Sequence, residues 1–223
     1  DSVNSTITNV SALSVTGSSE IGASNITTTG AQTYNGAVNV SASNATLNGT
    51  EITFTSTVDG AVNGTSNLTI TDGGNTTFNG SVGTTHALAS LNVSATNITL
   101  NNGNVSTTGT QGYHGVLALA ADANLTGSTI TTFGNVAGAN HSLTITGDAV
   151  LGNRSNAANS AITNVSALSV TGNTSIETGS ITTSSTQTYN GNVDLVSNTT
   201  LNGTTVSTLG NVAGAGNSLT IIG

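Results

Sequence analysis

The chain has no cysteine, proline, methionine, tryptophan or lysine, and Arg154 is its only permanent cation. Without cysteine there is no disulfide, no thiolate metal ligand and no cysteine nucleophile. One arginine against nine carboxylates gives a formal net charge of −8. Such a chain cannot neutralise a row of phosphates, which excludes nucleic-acid binding by charge, and it has no attraction for an anionic membrane. No apolar run reaches the ~18 residues of a spanning helix, so no membrane insertion is expected. The sequence starts at Asp1 and shows no leader pattern, the form of a mature product or an excised fragment. Aromatic residues number only three Tyr and three Phe among 223 residues. A round core lacks the large side chains it would need, whereas Leu, Ile, Val and Ala suit a narrow one.

What fills the chain instead is Ser, Thr, Asn and 28 Gly. That composition permits disorder, but the apolar residues are spaced too regularly for it. The stretch Ala12–Gly36, ALSVTGSSEIGASNITTTGAQTYNG, returns at Ala167–Gly191 as ALSVTGNTSIETGSITTSSTQTYNG. A weaker copy lies between, where Leu91-Asn92-Val93 leads to Gln111-Gly112-Tyr113-His114-Gly115. A unit of about 77 residues is thus used nearly three times, at approximately 1–85, 86–161 and 162–223, the last incomplete. Ser2–Val10 echoes Ser160–Val165, and the chain stops on an open apolar triplet. Both ends are therefore expected to cut through the repeat, as in a piece of a longer rod.

Within the unit an apolar-x-apolar triplet recurs, beginning at Leu13, Val38, Leu68, Leu91, Leu117, Leu143, Leu168, Val193 and Leu219. A second apolar residue follows in most copies (Ile21, Leu47, Leu125, Leu151, Ile176, Leu201), then a third (Ile26, Ile52, Ile130, Ile181, Val206). Thr-Gly and Asn-Gly fall between them, and both tolerate the positive φ of tight corners. Each short segment alternates at period two, the pattern of a half-buried strand, and none holds the helical period. The reading is an all-β chain, a three-sided parallel β-solenoid of about nine turns of about 25 residues, forming a single segment. The nine triplet leaders are expected to stack as one structural ladder, in a rod on the order of 43 Å long at ~4.8 Å per strand. The long interval from Val38 to Leu68 is expected to expel its surplus near Val58–Thr65.

Few residues point to chemistry. Tyr34, Tyr113 and Tyr189 hold the same place in the unit, either as rings that close core gaps or as a sparse row of glycan contacts. Thr27, Thr53, Ser106, Thr131, Thr182 and Ser207 are expected to form a hydroxyl ladder on one face. Most asparagines open the sequence Asn-x-Ser/Thr, which makes Asn48, Asn79, Asn173 and Asn202 candidates for N-glycosylation or simple by-products of the turn motif. The carboxylates are scattered; Glu20 and Glu51 are expected near the second and third columns, but the corresponding later positions are not acidic and no cation stands by to assist sugar chemistry. His86, His114 and His141 lack metal spacing. No catalytic residue, cofactor site or metal site is assigned, and the chain is not expected to be an enzyme.

The Leu-x-Val-Thr-Gly openings (Leu13–Gly17, Leu168–Gly172), the Thr-Gln-Thr-Tyr-Asn-Gly run (Thr186–Gly191) and the Ser-Leu-Thr-Ile closures (Ser142–Ile145, Ser218–Ile221) carry a resemblance. The chain resembles the filamentous-haemagglutinin-type β-helix of large bacterial adhesins secreted by the two-partner or autotransporter route. That resemblance implies a right-handed solenoid stalk outside a Gram-negative cell. Its implied partners are a host or bacterial surface or matrix polysaccharide, and some of its members carry sugar on asparagine. The expected function is the shaft of a secreted or cell-surface adhesin, supporting attachment or a biofilm matrix. A carbohydrate-binding or carbohydrate-processing β-helix and a self-assembling extracellular filament subunit are the alternatives.

Overall fold

The computed structural model describes residues 5–223; the start of the Ser2–Val10 echo and the sequon at Asn4 lie outside the described residues. The chain coils as a parallel β-solenoid. Strands begin about every six residues in the first turn, at Leu13–Val15, Ser19–Ile21, Asn25–Thr28 and Ala31–Tyr34, because each run of alternating residues ends on a Gly, Ser or Asn corner. Three strands complete a turn, and every strand pairs in parallel with the one a turn away: Leu13 with Gln32, Ser19 with Val38, Asn25 with Thr46. Three flat faces result, named here for the residues Leu13, Val38 and Leu68, and the chain visits them in that order. Some strands, such as Asn44–Phe54 and Ser90–Leu100, run through a corner and serve two faces.

The count of turns differs from the expectation of nine. On the Leu13 face one inward column passes through Leu13, Gln32, Ile52, Thr76, Ile98, Leu117, Val136, Ile162, Ile181, Leu201 and Ile221, about 11 turns. At ~4.8 Å per level the column spans about 48 Å. Most turns take 19 or 20 residues, as from Leu13 to Gln32 and from Gln32 to Ile52. The recurring interval of 25 is one such turn plus one further strand, so each triplet lands a face beyond the last. Leu13, Leu117 and Leu219 therefore sit on the Leu13 face, Val38, Leu143 and Leu168 on the Val38 face, and Leu68, Leu91 and Val193 on the Leu68 face. Only Leu68–Leu91 and Leu143–Leu168 stack directly. The nine residues do not form one ladder, but all face the same interior, and all except Leu13 and Leu219 are buried.

Three turns are longer, and each sheds its surplus outside the column. Val58–Gly60 is still a strand, and the excess of the Val38–Leu68 interval leaves just after it, at residues 61–66. A loop at 83–88 packs beside it, with Ala87 N–H donating to Asn63 Oδ1 at 2.8 Å. The third surplus is the 3₁₀ turn Arg154–Asn159, capped by Asn153, whose side chain accepts from Ser155 N–H at 3.0 Å.

The interior is dry and narrow. Aliphatic side chains from all three faces meet in one continuous core, each contributing about 1.5–3 kcal/mol when fully removed from water. On the Leu13 face Tyr34, Phe54 and Phe78 stack in successive turns, with ring centroids 5.1 and 5.2 Å apart. At two of the corners, after the Leu13 face and after the Val38 face, the backbones of successive turns touch. A Cβ on Gly36 would lie 2.3 Å from the carbonyl carbon of Gly17, and one on Gly191 would lie 2.4 Å from the carbonyl oxygen of Gly172. Glycine is required there by close approach of the main chain.

Candidate functional site

The tyrosines were the residues most tightly tied to the repeat, and their surroundings are the same three times over. Each stands two residues after a glutamine, so both side chains point inward on one strand. Tyr34 Oη–H donates to Gln32 Oε1 at 2.9 Å, Tyr113 to Gln111 at 2.8 Å and Tyr189 to Gln187 at 3.0 Å. The glutamine Nε2 in turn donates across the core to a backbone carbonyl of the next turn: Asn48 O, Thr126 O and Asn202 O, each at 2.8 Å. A second carbonyl, that of Ile26, Val105 or Ile181, accepts at 3.3, 3.3 and 3.1 Å. The buried polar groups are thus satisfied as a closed set, which is what makes them tolerable in an apolar interior. Burial pushes all three phenols well above their ordinary range.

Tyr34, Tyr113 and Tyr189 are only 2, 0 and 0 % exposed, so no ring face is open to a sugar. The glycan-contact reading of these residues is corrected on that ground. Nor do they form a row. Gln32 and Tyr34 lie on the Leu13 face, Gln111 and Tyr113 on the Leu68 face, and Gln187 and Tyr189 on the Val38 face. The expected hydroxyl ladder divides in the same way, with Thr53 and Thr182 on the Leu13 face, Thr27 and Thr131 on the Leu68 face, and Ser106 and Ser207 on the Val38 face. The threonine column that does form is Thr33, Thr53, Thr77 and Thr99.

The sequon asparagines largely knit the turns together. Asn48 Nδ2 donates to Asn25 Oδ1 at 2.8 Å and to Thr27 Oγ1 at 3.2 Å, so the nitrogen a glycan would take is already engaged. Asn97 donates to Asn75 at 2.8 Å, Asn67 to Asn44 at 3.0 Å and Asn124 to Asn104 at 3.2 Å. Asn79, Asn173 and Asn202 are exposed. The first two use their side-chain oxygen alone, accepting from Asn101 Nδ2 and, at 3.1 Å, from Asn192 N–H.

The two glutamates stand on different faces. Glu51 lies on the Leu13 face beside Ala31 and Asn75, whereas Glu20 lies on the Val38 face, in line with Asn39 and Asp59. Loop 83–88 overhangs that line and forms with it an open groove of 490 Å³ bordered by Glu20, Asn39, Asp59, Thr85 and His86. Asp59 is committed to the overhang: its Oδ1 accepts from Thr85 N–H at 2.9 Å and from His86 N–H at 3.4 Å. The groove escaped the sequence reading because loop 83–88 belongs to an irregular turn. Of the other histidines, His141 lies 3.7 Å from Asp122, whose carboxyl is held low first by the N–H of Ser142 at 2.8 Å. His114 stacks on Phe133 at 3.8 Å, and partial burial pulls its imidazole down. Among the described residues no group of three or more His, Asp or Glu could hold a metal ion, and no helix is long and apolar enough to cross a membrane.

No family model, curated protein or solved structure matches the chain.

Proposed function

We propose that the chain is a shaft segment of a long secreted or cell-surface adhesin, holding a binding element away from the cell and bearing load along its axis. The observation that carries this reading is the solenoid itself: about 11 turns wound on one uninterrupted core, with the three repeat tyrosines turned inward to serve packing. Backbone hydrogen bonds run between turns along the axis, so extension must break many in concert. The surface is polar but nearly uncharged, which keeps such a rod in solution without a cationic patch. The exposed sequons at Asn79, Asn173 and Asn202 would carry glycans in this role, and intact-mass measurement of the native-source protein tests that directly.

The role is tested by placing the chain between a membrane anchor and a binding domain of known ligand on a non-adherent bacterium. Attachment under flow should exceed that of a flexible polar linker with the same number of residues. Equal attachment by the two constructions would overturn the shaft reading.

A further inference from the structure

We propose that Asn35, Asn79, Asn102 and Asn190 are sites of spontaneous conversion to aspartate and isoaspartate, while Asn63 and Asn202, in the same Asn-Gly dipeptide, are protected by the fold. In this reaction the glycine amide nitrogen attacks the asparagine side-chain carbonyl carbon. The new C–N bond closes a succinimide, the bond to Nδ2 breaks, and ammonia leaves. Water then opens the ring at either carbonyl, giving aspartate or isoaspartate and a proton. The nucleophile is the backbone N–H of the following glycine, so what that N–H is doing decides the rate.

These six asparagines are alike in exposure and in the residue that follows them, whereas Asn48, the seventh that precedes a glycine, is half-buried. They differ at the glycine. Asn35, Asn79 and Asn190 each follow a buried aromatic residue, the first two at the corner after the Leu13 face and the third at the corner after the Val38 face, their own N–H groups donating to Val15 O at 2.8 Å, Phe54 O at 2.8 Å and Val170 O at 3.0 Å. The next N–H, of Gly36, Gly80 or Gly191, makes no hydrogen bond among the described residues, and neither does that of Gly103 after Asn102. By contrast Gly64 N–H donates to Ala87 O at 2.7 Å and Gly203 N–H to Ile222 O at 3.0 Å. In these two the bond must open before the nitrogen can attack, which slows conversion by about five- to tenfold if a typical net hydrogen bond is at stake.

The outcome bears on the rod because these corners are where turns touch. A Cβ on Gly80 would already lie 2.4 Å from the carbonyl carbon of Ser56, and isoaspartate adds a whole carbon to the main chain beside it. Age therefore loosens the stack at these corners first.

The test is to incubate the full chain, produced without glycosylation, at mildly alkaline pH, and to follow each site by mass spectrometry of peptic peptides. A parallel sample is held in concentrated urea. The expected result is conversion at Asn35, Asn79, Asn102 and Asn190 about five- to tenfold faster than at Asn63 and Asn202 in the folded chain, with the six equalised in urea. Equal rates in the folded chain, or the same ranking in urea, would overturn the proposal.

Discussion

Removing the Tyr113 hydroxyl tests whether the buried Gln-x-Tyr set acts as a unit. In Tyr113→Phe the ring stays in place, but Gln111 Oε1 loses the donor 2.8 Å away in a side chain that is 1 % exposed. An orphaned buried acceptor costs about 1–3 kcal/mol. Gln111→Leu leaves the phenol without its acceptor and takes the Nε2 donor from Val105 O and from Thr126 O, which keeps the N–H of Thr107 at 2.9 Å, for about 1–3 kcal/mol. In the double variant the phenol is gone as well, so no hydroxyl is left without an acceptor. It should be no worse than Gln111→Leu alone, and less destabilised than the sum of the single changes by about 1–3 kcal/mol. Urea unfolding followed by far-ultraviolet circular dichroism measures all three. Additivity within about 0.5 kcal/mol would show that the two side chains are independent, and the account of a closed polar set would fall.

Other consequences are simpler to read. Gly191→Ala should be strongly destabilising, since its Cβ would meet the backbone of Gly172 at 2.4 Å, whereas Gly17→Ala, with nothing within 4 Å, should be neutral or stabilising by about 0.4–1 kcal/mol through the unfolded chain; thermal melts separate them. Leu168→Asp places a carboxylate in the dry core next to Leu143 and should cost several kcal/mol; an unchanged urea midpoint would contradict the packing described. The buried tyrosines titrate above their ordinary value of 10.0, so the unfolded state loses protons first as the pH rises. The stability they contribute is complete below pH 10 and lost above it, and tyrosinate absorbance should appear together with loss of circular dichroism. His114 is shifted the other way, below its ordinary 6.5; its contribution is present above that pH and declines as the pH falls through it, and His114→Asn should flatten the acid limb of a stability–pH curve.

The solenoid was legible because its local rules are strict. Period-two segments such as Leu13–Val15 and corners such as Asn35-Gly36 leave few other folds for a chain so poor in aromatic residues. The turn was not legible, for a physical reason. Inward positions need only be small enough, or hydrogen-bonded enough, to be buried, so Gln32, Thr76, Ala149 and Thr174 fill columns alongside Leu and Ile. A count that follows the strongest apolar triplets skips those levels and reports the turn plus one strand. The same slip placed Tyr34, Tyr113 and Tyr189 on one line and the hydroxyl ladder on one face. The groove at Glu20 and Asp59 could not be foreseen, because it depends on where the irregular loop 83–88 folds back.

The rotation of the Gln-x-Tyr set from one face to the next also governs the outside of the molecule. One 77-residue unit advances three turns and two faces, so corresponding surface residues climb the rod as a steep spiral, about 18 Å higher each time at ~4.8 Å per level. No side of the rod repeats until three units have passed. A partner that recognised a feature of the unit would find copies pointing in three directions, and two such rods lying side by side could bring only every third copy into contact.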